Sequence, residues 1–246
     1  KINWKLVLIL FVAAILRLWN LSSNPPHLTP DEAALGYNAY SILKTGRDEF
    51  GELLPIIFKS FGDYKPGLYI YLSVAFVGLF GLSEFAVRLP SALAGVLAVW
   101  LIYSIAGRLF TEKKLAVGYQ PLALVAGLML AVSPWHIHFG RGAWEVNVAL
   151  TLTLAGIYFF LRACSPPGKP LDRNKYLVYS AVFFALTLVT YQGAKLATAI
   201  VVFIFLILYW KNLLAFSKKT LATSFAVGIL ISLPIILSLF QGKTGR

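Results

Sequence analysis

The sequence predicts an all-α integral membrane protein of about seven transmembrane helices, with juxtamembrane helices in the first outer loop. Hydrophobic residues make up 59% of the chain and charged residues only 13%, too few charges to cover a water-soluble domain of this length. Several apolar runs approach or exceed about 18 residues, enough to cross a hydrocarbon core of roughly 30 Å as helix. The basic residues fall between these runs rather than along one face. A net charge of +12 therefore points to loops facing anionic lipid and not to a nucleic-acid partner. The single cysteine, Cys164, excludes an internal disulfide framework and carries no metal or redox pattern.

The first helix covers about 4–21 and, between Lys5 and Asn20, is apolar apart from Arg17 near its far end. No small-residue cleavage site follows it, so it reads as an anchor rather than a removable signal. A polar island then occupies about 20–66. Within it, 31–45 has helical composition and stops at Gly46, a plausible C-cap, while 47–63 is loop-like. Lys65-Pro66-Gly67 opens a second apolar helix, 68–81, which is short for a span and is expected to lie along the membrane surface. The remaining runs are clearer: 87–110, 119–133, 146–164, 176–191, 196–210 and 221–240, the last kinked at Pro234.

Basic residues decide the sidedness. With a cytoplasmic N-terminus and a non-spanning 68–81 helix, Arg108, Lys113, Lys114, Arg162, Lys169, Arg173, Lys175, Lys211, Lys218 and Lys219 face the cytoplasm. In the loops after that helix only Arg141, Lys195, Lys243 and Arg246 then face outward, and a spanning 68–81 helix would reverse the ratio. The positive-inside rule favours the first arrangement. It puts the island, the loop 134–147 and the turn 190–195 on one outer surface.

Those segments hold the candidate site. Thr29-Pro30-Asp31-Glu32 fits a capping box, with Thr29 as N-cap and Glu32 at N3. Asp31 and Glu32 are equally a carboxylate pair at the membrane–water boundary, where one can act as general base on a hydroxyl. Lys65 beside a helix N-terminus is electrostatically misplaced unless an anion such as phosphate shares the site or Asp63 pairs with it. Arg141 and Glu145 stand four apart, as an ordinary helix salt bridge would, but polar groups at membrane depth are also functional candidates. His136 and His138 are two apart and fall on different helix faces, a poor metal pair. Tyr191-Gln192-Gly193-Ala194-Lys195 reads as a helix hairpin or as a further binding turn, with Gln192 and Lys195 its polar groups.

The ordered set resembles the GT-C class of membrane glycosyltransferases, in its protein mannosyltransferase, aminoarabinose transferase and RgtA/B/C/D-like branch. The motifs are Asp31-Glu32 after the first helix, Lys65-Pro66-Gly67-Leu68-Tyr69, Phe85-Ala86-Val87-Arg88-Leu89-Pro90-Ser91-Ala92-Leu93, Ser133-Pro134-Trp135, the 141–145 loop and the 191–195 turn. The resemblance implies a polyprenyl-phosphate-linked sugar donor, a hydroxyl acceptor and inverting transfer at the outer face of the plasma (inner) membrane. It makes Asp31 the catalytic carboxylate, with Glu32 beside it, and Lys65 the donor-phosphate contact, joined by Arg141. Glu145 falls where relatives carry a second acidic residue. Tyr64 occupies a place where some relatives have an acid, and Gln192 and Lys195 complete the substrate-binding set. No metal site is assigned and no cofactor is certain; a divalent metal is possible within the class. The chain reads as one module, 1–246, with a first outer loop of 21–86 holding two juxtamembrane helices, and as cut short before further helices and a soluble outer domain. A transporter or flippase half and a non-catalytic membrane scaffold are the competing classes. The first is disfavoured by acids in outer loops and by the lack of a visible repeat; in the second Asp31-Glu32 would act only as a cap, and sugar transfer dependent on Asp31 separates the enzyme from both.

Overall fold

The computed structural model describes residues 3–111, 119–164 and 170–240. Lys113, Lys114, Lys169, Lys243 and Arg246, which entered the sidedness count, lie outside the described residues, as does the 241–246 end. The helices are α1 (Trp4–Leu18), α2 (Pro30–Thr45), α3 (Leu68–Phe80), α4 (Glu84–Thr111), α5 (Tyr119–Val132), α6 (Pro134–Arg141), α7 (Glu145–Cys164), α8 (Pro170–Leu188), α9 (Ala194–Leu208), α10 (Trp210–Leu214) and α11 (Lys218–Phe240). A hairpin, β1 (Ile57–Ser60) and β2 (Asp63–Pro66), interrupts the first loop.

Each apolar run expected from the sequence is helical. Among the described residues three helices, Glu84–Phe110, Glu145–Cys164 and Lys218–Ser238, are long and apolar enough to cross a membrane, and α5 with α6 makes a fourth if the pair, bent by 56°, is one broken span. The bend falls at Ser133-Pro134: Pro134 opens α6, and the Ser133 hydroxyl caps it by accepting from the His136 N–H. Helices α1 and α9 are 15 residues each, shorter than the roughly 20 that an untilted span needs.

Small and hydroxylated residues set the helix contacts, as expected where apolar surface alone gives no preference between lipid and protein. The Ser180 hydroxyl of α8 donates to the Gly156 carbonyl of α7 at 2.9 Å. A Cβ at Gly156 would come within 2.9 Å of the Phe184 ring. Thr187 and Thr198 join α8 to α9 at 2.6 Å.

Helix α3 stays on one side of the bundle. Its first N–H, from Leu68, donates to the Val189 carbonyl just past α8. Its other end turns through 81–83 into α4, whose Arg88 reaches the Leu21 and Pro25 carbonyls just beyond α1. Thirteen residues make a helix about 20 Å long, too short to cross. It packs against α2, with Leu35, Ala39 and Ile42 meeting Ile70 and Val77 in a core that also takes Phe58, Ala86, Val87 and Val148.

Candidate active site

Three segments far apart in the chain meet at one end of the bundle: the first loop, the α6–α7 turn and the α8–α9 turn. Local sequence sets the first. The Thr29 hydroxyl accepts from the Glu32 N–H and the Glu32 carboxylate accepts from the Thr29 N–H, a complete capping box, with Pro30 opening α2 and Gly46 closing it in the left-handed conformation. Both readings of Asp31-Glu32 meet here, because the cap fixes where Asp31 points.

The two acids have different surroundings. Glu32 is buried, and its oxygens are fully engaged. Oε1 accepts from Arg88 Nε at 2.9 Å and from the Ala143 N–H at 2.9 Å; Oε2 accepts from the Thr29 N–H at 2.9 Å and from Arg88 Nη2 at 3.4 Å. Burial alone would raise this carboxyl, but the Arg88, Thr29 and Ala143 donors outweigh it and hold the group below its usual range. A carboxylate so placed ties α2, α4 and the α6–α7 turn together. Asp31, with 47% of its side chain exposed, has one partner: Lys65 Nζ donates to Oδ1 at 2.5 Å.

Lys65 does not open a helix, as the sequence suggested. It lies in β2 opposite Phe58, and its partner is Asp31 rather than Asp63, whose carboxylate accepts from the Tyr64 N–H instead. The hairpin is held against α3 by Gly67, whose N–H donates to the Ile56 carbonyl at 2.9 Å. A Cβ at Gly67 would stand 2.4 Å from the Phe58 ring, so only glycine allows the hairpin to close there.

Arg141 is also engaged by the protein itself. Its guanidinium reaches the carbonyls of Leu16, Trp19, Asn20 and Asn24 at 2.7–3.3 Å and caps the C-terminal end of α1. With its donors on these carbonyls it forms no ion pair with Glu145 among the described residues. Two further arginines do similar work. Arg88, fully buried, adds the Leu21, Pro25 and His27 carbonyls to Glu32. Arg17, fully buried in α1, takes the Leu130 and Ala131 carbonyls at the end of α5 and lies 2.7 Å from His136 Nδ1. A guanidinium only donates, so Nδ1 is the acceptor, and His136 is thereby a structural partner rather than half of a metal pair.

Glu145 opens α7 without a side-chain partner among the described residues, within electrostatic reach of both Lys65 and Asp31. Gln192 hydrogen-bonds through its amide to the Tyr64 carbonyl, so the Tyr64 backbone, not its phenol, ties the α8–α9 turn to the hairpin. Lys195 feels the charge of Asp63 and stands at one end of an apolar groove of about 620 Å³ between α8, α9 and α11. Phe184, Thr198, Val202, Phe225 and Gly228 are among the residues that line it. Among the described residues no three His, Cys, Asp or Glu side chains are grouped as metal ligands.

The first loop, the α6–α7 turn and the α8–α9 turn thus gather around the Asp31–Lys65 pair. The family of dolichyl-phosphate-mannose-protein mannosyltransferases matches residues 64–237, and the chain belongs to that family. Among its relatives is the undecaprenyl phosphate-alpha-4-amino-4-deoxy-L-arabinose arabinosyl transferase 1 of Proteus mirabilis (strain HI4320), 28% identical over 179 residues, which are 73% of this chain and 30% of that protein. The crystal structure of ArnT from Cupriavidus metallidurans in the apo state superposes with a TM-score of 0.73 at 19% identity, over 96% of this chain and 42% of that one. The same protein bound to undecaprenyl phosphate gives 0.72 over the same shares. The shared fold is thus that of a GT-C membrane protein, and the chain spans less than half the length of these relatives.

Proposed function

We propose that the chain forms the donor-side module of an inverting membrane glycosyltransferase, which moves a sugar from a polyprenyl-phosphate donor to a hydroxyl on protein, lipid or glycan. The observation that carries this reading is the Asp31–Lys65 contact. It sets a half-exposed carboxylate and an ammonium 2.5 Å apart, beside a second carboxylate, Glu145, in a chain of the mannosyltransferase family. The relatives named for undecaprenyl phosphate support the donor class.

In this mechanism Asp31 takes the proton of the acceptor hydroxyl as the hydroxyl oxygen bonds to the anomeric carbon from the face opposite the phosphate. The bond from that carbon to the phosphate oxygen breaks, its electron pair leaves with the polyprenyl phosphate, and the anomeric configuration inverts. Lys65 offsets the charge of the leaving phosphate, and Glu145 borders the sugar. The prenyl chain follows the α8–α9–α11 groove, with Lys195 at its mouth. Glu32, Arg88 and Arg141 hold the site in shape without touching substrate.

The same reading places the chain in the plasma membrane as a multi-pass protein of seven spans, its N-terminus cytoplasmic and the site outward. Support comes from the bias of basic residues and from α3 remaining on one side of the bundle. The test is a transfer assay on the full-length protein in lipid with a radiolabelled polyprenyl-phosphate sugar. Label should pass to a hydroxyl acceptor with inversion, and Lys65→Met should weaken donor binding. Retention of configuration, or donor binding indifferent to Lys65, would sink the mechanism.

A further inference from the structure

The end of the bundle opposite the Asp31–Lys65 site carries its own set of polar groups. There Arg173 Nε donates to the Ala163 carbonyl at 2.9 Å and Nη2 to the Asn212 carbonyl at 3.1 Å, while its guanidinium covers the Phe216 ring at 3.9 Å. Arg162 stacks on the Tyr176 ring at 4.1 Å and donates to the Tyr158 hydroxyl. These two cations hold α7, α8 and α10 together and have partners within the protein.

Lys175 and Lys219 differ from them. Both are exposed, and neither forms an ion pair among the described residues, whose two salt bridges lie at the other end. They come from different helices, the start of α8 and the start of α11, yet they line one pocket of about 420 Å³. Asn174, Ser217 and Thr223 add an amide and two hydroxyls, Val178 and Tyr179 add apolar surface, and none of the described residues lining the pocket is acidic. Tyr179 is anchored edge-on against Phe159 at 5.5 Å.

We propose that this pocket binds the headgroup of an anionic phospholipid of the phosphatidylglycerol type. Charge complementarity points to an anion, since two exposed ammonium groups without an ion-pair partner among the described residues line the pocket, and none of its described lining residues is a carboxylate. Position points to a lipid, because the pocket lies at the first turns of α8 and α11, where apolar helix meets the interface. Phosphate pairs with Lys175 and Lys219, the headgroup hydroxyls with Asn174 and Ser217, and the first acyl carbons run along Val178 and Tyr179. An aromatic ring beside a basic pair suits this depth, because aromatic residues favour the membrane interface. The inference does not depend on the proposed sugar transfer.

The test follows the melting temperature of the detergent-purified chain during titration with short-chain phosphatidylglycerol, phosphatidylcholine of equal chain length and glycerol 3-phosphate. Phosphatidylglycerol alone should stabilise saturably, and less so at high salt. At about 1 kcal/mol per lysine near an anionic headgroup, the Lys175→Gln/Lys219→Gln variant should bind about thirtyfold more weakly. Lys211→Gln, at an exposed lysine of the same end, should bind as wild type does. Both substituted lysines are exposed, so the double variant should keep its ligand-free melting temperature; Lys175→Arg/Lys219→Arg should retain binding. Equal response to phosphatidylcholine, an equal response to glycerol 3-phosphate, or unchanged affinity in the Gln variant would overturn the proposal.

Discussion

Replacing Arg88 by methionine removes all five donors from the centre of the first loop while keeping most of the apolar bulk of the side chain. Glu32, 3% exposed at its side chain, would keep the Thr29 and Ala143 N–H groups but lose its only charge partner. The Leu21, Pro25 and His27 carbonyls would lose their Arg88 donors. Breaking a buried pair from one side costs about 3–5 kcal/mol, and the orphaned carbonyls place this case toward the upper end. At about 2–4 °C per kcal/mol for a chain of this size, the melting temperature should fall by roughly 10–20 °C. Thermal unfolding in detergent, followed by tryptophan fluorescence, reads this directly. Adding Glu32→Gln removes the stranded charge, so the double variant should recover part of the loss, with a coupling of about 2 kcal/mol. An Arg88→Met protein within about 1 kcal/mol of wild type, or strictly additive single variants, would refute the Arg88–Glu32 tie.

Two further outcomes follow from the same geometry. The Glu32 carboxyl is held below its usual value of 4.5, so its contribution is complete above that value and is lost as pH falls through the lower folded value; unfolding scans below about pH 4.5 should show a slope that Glu32→Gln flattens. Arg141→Lys cannot reproduce a fork that spans four carbonyls, and should cost about 2 kcal/mol of stability without altering donor affinity, whereas a phosphate-binding arginine would show the opposite pattern.

Local features of this site were legible in the sequence because their causes are local. Thr29, Pro30, Glu32 and Gly46 announce both ends of α2, and each occupies the cap position read for it. The short 68–81 run and the bias of basic residues pointed to a helix that stays on one side, and α3 does. The hairpin was missed: four-residue strands give too few alternations to register, and only Gly62 at its turn hinted at it. Long-range pairing was the larger gap. Arg88 lies in the Phe85-Ala86-Val87-Arg88 motif, but nothing in its spacing names a glutamate 56 positions away. Lys65 was given a helix N-terminus to serve because its real partner, Asp31, lies 34 positions earlier. For Arg141 the partners are backbone carbonyls, which every residue has and no sequence pattern marks.

The proposed function divides the work between neighbouring acids, with Asp31 reacting and Glu32 holding. The measurement that tests it most directly compares Asp31→Asn with Glu32→Gln in one full-length preparation, by melting temperature and by sugar transfer from a polyprenyl-phosphate donor. Asp31 is half exposed and bound only to Lys65, so its variant should melt within about 1 kcal/mol of wild type and lose transfer by about 100-fold or more. Glu32→Gln should lose melting temperature first, and recover transfer when assayed well below it. Near-normal transfer by Asp31→Asn, or an unchanged melting temperature in Glu32→Gln, would contradict the account.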